Sequence, residues 1–311
     1  MRRITTGAVR RALPFVLAAA LAACSGAAAT PAPTTAPATS APATPSTTPP
    51  PSPAGSRDLI LATTTSTQDS GLLDVLVPAF EAASGYKVKT VAVGSGAALK
   101  LGTEGNADVL LVHSPTAEKD FMTAGSGIDR LLVMHNTYLI VGPAADPAGI
   151  KGMTSAGDAF KKIADTKSTF VSRGDGSGTE TKELGYWKKL AITPAAPWYV
   201  QSGQGMGATL QIASEKGGYT LTDIATWAAT KDKLQLEALV QGDPSLLNIY
   251  HVIGVNPAVW PKVNAAGAKA FSDYILSAAG QALIGAFGKD KYGMQLFVPD
   301  AGKDETKLTA S

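Results

Sequence analysis

Leu59-Ile-Leu-Ala-Thr-Thr-Thr-Ser-Thr-Gln-Asp-Ser-Gly-Leu-Leu-Asp-Val-Leu-Val-Pro-Ala-Phe80 is the stretch on which the fold turns. Leu59 to Ala62 is a short apolar strand that runs into the hydroxyl-rich turn Thr63 to Thr67. Leu72, Leu73, Val75, Leu76 and Phe80 then recur at helical spacing up to a stop near Gly85. The unit repeats at once: Lys87 to Val93 alternates as a strand, Gly94-Ser95-Gly96 makes the turn, and Ala97 to Leu101 begins a short helix. Asp108 to His113 is a third strand. Alternating strands and helices predict an α/β domain with a parallel sheet covered on both faces and ligands bound beyond the carboxyl ends of its strands. Both polar turns sit at such ends.

Further along, Arg130 to Val141 is a long extended run that leaves this sheet and crosses toward a second lobe. That lobe holds Phe170 to Ser172, a helix over Ser177 to Leu190, and Trp198 to Val200. Leu247 to Val255 has the pattern of a return crossing, and helical segments around Ala265 to Phe287 complete the first lobe. The expected boundaries are 57–139 and 246–300 for lobe I, 140–245 for lobe II, and a flexible tail over 301–311. Two discontinuous lobes joined by two crossings leave a cleft between them.

The N-terminal part is of a different kind. Arg2, Arg3, Arg10 and Arg11 precede an apolar run, Ala12 to Ala23, that is too short for an ordinary membrane span and reads as a signal peptide over residues 1–23. It closes on Leu21-Ala-Ala-Cys24, which resembles the bacterial lipobox, whose cysteine is acylated. Cys24 is the sole cysteine, so neither a disulfide within the monomer nor a multi-thiolate metal site is open to the chain. After Cys24, residues 25–56 of the 24–56 segment are Ala, Pro, Thr, Ser and Gly without charge, a tether that cannot offset the entropy of folding. Loss of the four leader arginines from 27 basic side chains leaves 23 against 25 acidic ones. The mature chain is slightly acidic, which gives nucleic-acid binding no support.

Thr63 to Thr67 sets five hydroxyl side chains where a strand ends and a helix begins, beside free N–H groups and the positive end of the helix dipole. A helix cap needs only one of them. Gly94-Ser95-Gly96 repeats the arrangement. The segment Ser172-Arg-Gly-Asp-Gly-Ser-Gly-Thr179 adds a guanidinium: Arg173 supplies charge, while Ser177, Gly178 and Thr179 offer hydroxyl and N–H donors at a helix start. Asp175 either orients Arg173 or caps the helix. In Ser202 to Thr209 the third glycine falls at 207, one short of a dinucleotide fingerprint, and no phosphate loop of the Gly-x-x-x-x-Gly-Lys type occurs. A hydrolase finds little here. No Gly-x-Ser-x-Gly elbow exists, and the three histidines read as supporting residues: His113 at a strand end near the cleft, His135 and His251 in the crossings.

Leu61-Ala-Thr-Thr-Thr-Ser-Thr-Gln-Asp-Ser-Gly71, Gly94-Ser-Gly-Ala-Ala-Leu99, Asp108-Val-Leu-Leu-Val-His113 and Ser172 to Thr179 together resemble the tungstate-binding protein family, over most of residues 58 to 300. The resemblance implies a two-lobed type II periplasmic-binding-protein fold with two crossover segments and an interlobe cleft. It also implies a non-enzymatic receptor, without cofactor or resident metal, that hands tungstate to an ABC permease and its ATPase. By position it implies oxyanion contacts from Thr65, Ser66, Ser95, Arg173, Ser177, Gly178 and Thr179, with Thr64 and Gly96 beside them. Tungstate is an unprotonated tetrahedral dianion that asks for donors on every side. The residues themselves leave molybdate, sulfate and phosphate open, since Asp69 or Asp175 could accept a phosphate proton. The expected molecule is a monomer held at the outer face of the cell membrane through Cys24 and closing on its ligand by a hinge.

Overall fold

The computed structural model describes residues 56–309; the leader, Cys24 and nearly all of the tether lie outside the described residues. Strand β1 (Asp58–Thr64) leads into α1 (Thr65–Asp69) and α2 (Leu73–Ser84), β2 (Lys87–Val93) into α3 (Ser95–Thr103), and β3 (Val109–Val112) into α4 (Pro115–Thr123). The long β4 (Gly127–Gly142) carries the chain to α5 (Ala156–Thr166), β5 (Phe170–Ser172), α6 (Gly178–Lys189), β6 (Tyr199–Gln201), α7 (Met206–Lys216), β7 (Thr220–Asp223), α8 (Ile224–Thr230) and β8 (Glu237–Val240). β9 (Leu247–Val255) brings it back, and α9 (Ala265–Leu276), α10 (Ala278–Ala286), α11 (Lys289–Tyr292) and β10 (Val298–Pro299) follow. Among the described residues no helix is long and apolar enough to cross a membrane.

Alternation along β1 explains how one strand serves two faces. Leu59 and Leu61 pack with Phe80, Val109 and Phe271 on one side, whereas Ala62 packs with Ala98, Leu110 and Ile253 on the other. β1 pairs in parallel with β2 and with β3, as the repeated strand and helix units predict. The rest of the sheet corrects the expectation of a parallel one. β9 runs antiparallel to both β3 and β4, and the order is β10-β4-β9-β3-β1-β2. A return crossing must come back against the direction of the outward one, and it inserts here as a central strand. The local alternation of residues 58–113 carried no sign of it.

β4 changes company along its length. Its first part pairs with β9, while Tyr138 to Val141 pairs with β7 and Ile140 to Gly142 with β8. Around that far end gathers a second core of Tyr138, Ile140, Phe160, Phe170, Trp187 and Tyr219. β5 and β6 form a small parallel pair beside it. This is the α/β, two-lobed fold with two crossovers and a cleft.

A flexible tail over 301–311 does not hold for its described part. Glu305 starts a 3-10 turn and accepts a hydrogen bond from Arg130 Nη1 at 3.0 Å, which fastens the segment to β4. A short polar C-terminal stretch gives no hint of such an anchor, because its partner lies 175 residues away.

Candidate functional site

The hydroxyl turn read from the sequence is itself partly helical. Thr64 closes β1 and caps α1, its Oγ1 accepting from Thr67 N–H at 3.2 Å. That hydroxyl also lies 2.7 Å from Thr67 Oγ1 and 3.1 Å from His113 Nε2, so Thr64 is committed to the fold and fully buried. Ser66 Oγ lies 3.1 Å from the same histidine nitrogen. Thr65 Oγ1, by contrast, faces the cleft and accepts from Arg173 Nη2 at 2.8 Å.

The second lobe presents the start of α6. Ser177 caps it, its Oγ accepting from Glu180 N–H at 3.2 Å while its own N–H donates to Asp175 Oδ1 at 3.2 Å. The Ser177 amide is therefore taken, while its hydroxyl, which only accepts in this cap, keeps its hydrogen as a donor. Gly178 and Thr179 follow as the first helical residues, whose N–H groups have no acceptor within the helix. A Cβ on Gly178 would stand 2.6 Å from the His113 carbonyl oxygen and 3.1 Å from Ser95 Oγ, so only glycine lets the two lobes meet here. Gly96 N–H donates across the cleft to Gly176 O at 3.1 Å and is likewise not free. Gly207 N–H, in the first turn of α7, donates to Asp69 Oδ2 at 3.0 Å. These contacts define a closed cleft.

Inside it are donors that the protein leaves unused. Arg173 has a side chain only 1% exposed, and Asp175 and Thr65 both hold its Nη2, the former at 2.5 Å. Its Nε and Nη1 have no partner among the described residues. The same is true of Ser95 Oγ and Thr179 Oγ1. Leaving one buried donor unsatisfied costs about 1–3 kcal/mol, and native proteins carry few. Several beside one buried guanidinium call for an anion. Of the expected contacts, the structure thus brings Thr65, Ser66, Ser95, Arg173, Gly178, Thr179 and the Ser177 hydroxyl to one place, whereas Thr64 and the amides of Ser177 and Gly96 are spent on holding that place together.

Asp175 is the orienter: its carboxylate grips Arg173 and the N–H of Ser177 at once, while the cap of α6 is Ser177 itself, so of the two readings left open by the sequence the first is realised. His113 is the residue whose importance the sequence understated. It is 3% exposed, and burial with Arg173 nearby brings its pKa down to about 3, so the ring is neutral. A cavity of about 430 Å³ opens beyond His113, Tyr138 and Gly178, lined further by Lys182, Tyr186 and Ser245. Among the described residues, none of its lining side chains carries an unpartnered buried donor.

Comparison with known proteins places the chain in a family. The PBP superfamily domain profile matches residues 32–279. Tungstate-binding protein TupA of Peptoclostridium acidaminophilum is 50% identical over 247 residues, which span 79% of this chain and 86% of that protein. Among solved structures, the tungstate ABC transporter protein from Geobacter sulfurreducens is 45% identical with a TM-score of 0.68, covering 74% of this chain and 98% of the other. The tungstate-binding protein TupA from Desulfovibrio alaskensis G20 is 47% identical with a TM-score of 0.63, covering 78% and 99%.

Proposed function

The chain belongs to the PBP superfamily and, within it, to the tungstate-binding proteins of ABC transporters, and from that premise we propose that it captures tungstate outside the cytoplasm and delivers it to an ABC importer. The observation that carries the reading is the set of unused buried donors: Arg173 Nε and Nη1, Ser95 Oγ and Thr179 Oγ1. To these the first-turn N–H groups of α1 and α6 add fixed partial charge. Such a set contains donors, and the Asp175 carboxylate beside it is engaged by Arg173 Nη2 and the Ser177 N–H. An unprotonated dianion suits it. A phosphate that keeps one proton would need an acceptor, which the second carboxylate oxygen of Asp69, whose Oδ2 is bound to Gly207 N–H, would have to supply.

Lobe I comprises 57–139 and 246–300 and lobe II 140–245, and they move about β4 and β9. The open form offers Ser66 and Ser95 to an arriving anion; closure adds Arg173 and Thr179 and forms the surface that a permease would read. Cys24 carries the lipid, and the tether lets a monomer range above the membrane. The lipobox resemblance and the uncharged Ala/Pro/Thr composition support this anchoring.

Calorimetric titration of the protein with tungstate, molybdate, sulfate and phosphate tests the proposal. Tungstate should bind tightly, with sulfate and phosphate far weaker; silence with all four oxyanions would end it.

One arrangement favours a second reading. Ser66 Oγ, His113 Nε2 and Nδ1, and Asn248 Oδ1 follow one another at 3.1 and 3.0 Å, in the order of a nucleophile, base and orienter. A general base works best with a pKa near the ambient pH, and His113 at about 3 is far too weak. Hydrolysis of p-nitrophenyl acetate or phosphate, abolished by Ser66→Ala, would revive the hydrolase.

A further inference from the structure

Helix α6 serves two spaces. Gly178 and Thr179, in its first turn, belong to the cradle, whereas Lys182, Gly185, Tyr186 and Lys189, further along one stripe of the helix, line the cavity of about 430 Å³. The other walls are the turn from β3 into α4, Ser114 to Thr116, and the start of β9, Leu247 to Ile249. Segments from both sides of the closed cleft therefore enclose it. Its volume is in the range that holds small organic ligands.

Two features of the α6 wall have no explanation in packing. Gly185 stands in the helix interior, where glycine costs about 0.5–1 kcal/mol relative to alanine. Gly178 is required by the His113 carbonyl, but a Cβ on Gly185 would meet nothing within 4 Å among the described residues. No neighbour demands this glycine; what it preserves is room in the cavity. Lys182 is the second feature. It is half-buried, donates to Leu247 O at 3.3 Å, and forms no ion pair among the described residues. An ammonium carries three donors, so two remain. Burial, and then the like charge of Lys189, hold its pKa below the usual lysine value, with Asp243 pulling weakly the other way. Asp243 directs its oxygens to the N–H groups of Ala156 and Ser245, and Lys182 is left short of counter-charge.

The rest of the lining is mixed. Pro115, Tyr138, Pro244 and Ile249 supply apolar surface, while the hydroxyls of Tyr186 and Ser245 lie 2.7 Å apart, so one of their two hydrogens is left to donate elsewhere. A tetrahedral oxyanion asks for donors on every side and would find few here. A cation, a hydroxyl and apolar walls suit a carboxylate attached to an apolar body. We propose that this cavity is a second ligand site, which takes a small organic carboxylate with an apolar body, the carboxylate on Lys182 and the body in the room that Gly185 leaves. Because the walls come from both sides of the closed cleft, an occupant favours closure. Linkage is reciprocal, so the occupant and tungstate tighten one another by the same factor; this step alone rests on the receptor reading.

Benzoate is the probe, with benzamide as its uncharged counterpart, each titrated by calorimetry into the full chain with and without saturating tungstate. Benzoate should bind in both states, and benzamide about tenfold more weakly or worse. Lys182→Met should weaken benzoate about tenfold or more. Gly185→Leu fills the cavity with a better helix former and should abolish benzoate binding. Both variants should hold tungstate itself within about threefold of the wild type, and saturating benzoate should tighten tungstate about fivefold in the wild type alone. Benzoate displaced by tungstate would be sitting in the cradle on Arg173, and benzoate that binds both variants as it binds the wild type would be sitting elsewhere. Either result overturns the site, as does no binding up to about 10 mM. Tungstate affinity lost in Lys182→Met would make that lysine part of the charge of the cradle and overturn the site as well. Tungstate affinity unmoved by saturating benzoate would overturn the coupling. A wild type that ignores tungstate would defeat the receptor reading, while benzoate compared across wild type, Lys182→Met and Gly185→Leu would still decide the cavity.

Discussion

Two arginines of this protein sit in buried polar surroundings and are built to opposite ends. Arg130, on β4, donates from Nε to Glu118 at 2.9 Å and from Nη1 to Glu305 at 3.0 Å, and His251 Nδ1 shares the fully buried Glu118 at 2.9 Å. Arg173, in the loop before α6, is more deeply buried yet gives only Nη2 to the protein. A guanidinium whose charge is met by two carboxylates is a strut between segments far apart in sequence. One held from a single corner, with Nε and Nη1 unpartnered, is a strut only once something fills the gap. Burial alone does not separate the two cases; the count of unspent donors does.

The comparison breaks first at Arg173. Arg173→Ala should lower tungstate affinity at least about a hundredfold, roughly 3 kcal/mol, because a buried charged donor to a dianion is removed. Arg173→Lys should recover only part of it, since an ammonium cannot present two edges in a plane. Thermal melting of the ligand-free alanine variant should change little in comparison with the affinity. At Arg130 the effects should be reversed. Arg130→Met leaves Glu118 buried without its cation and should cost about 3 kcal/mol in stability by urea unfolding, with tungstate affinity unaltered in the folded fraction. An Arg130 variant that loses affinity, or an Arg173 variant that loses only stability, would erase the distinction.

Smaller effects should sharpen it. Ser95→Ala and Thr179→Val each remove one neutral donor of the cradle and should weaken tungstate about fivefold to tenfold, near 1 kcal/mol each. Ser177→Ala takes away a hydroxyl that caps α6, so its loss should show mainly as a lower melting temperature. Calorimetry and melting on the same preparations would tell these roles apart.

How far the sequence foretold this division depends on what kind of contact is asked for. The strand–turn–helix units, the two crossings and the three loops of the cradle are local patterns of apolar spacing, glycine and hydroxyl residues, and they were legible. Which hydroxyl of Thr63 to Thr67 would face the ligand was not, because neighbouring threonines look alike until His113 and Arg173 arrive from 47 or more residues away to claim them. The same holds for Glu305 and for the antiparallel return of β9. His113 read as a supporting residue, but its partner Asn248 is 135 residues distant, and no periodicity marks an asparagine in a crossing strand as the partner of a histidine.

Asp69 gives the mildest test, at the mouth of the cleft. It is exposed as a residue, yet its carboxyl is tucked against the start of α7, where partial desolvation raises its pKa against the lowering effects of Gly207 N–H and Arg173. A raised carboxyl pKa means that the closed form binds the proton better than the free side chain does, so ionisation as pH rises through that value works against closure. The ionised group also adds a negative charge near the site of a dianion. Asp69→Asn keeps an oxygen for Gly207 N–H and removes both effects. Tungstate should bind the variant about twofold more tightly at pH 8, a gain kept small by solvent screening, and the gain should vanish below the Asp69 pKa, where the wild type is neutral too. A loss of affinity at pH 8 would mean that the charge on Asp69 helps to latch α1 to α7, and the cleft would then use a carboxylate to close on an anion.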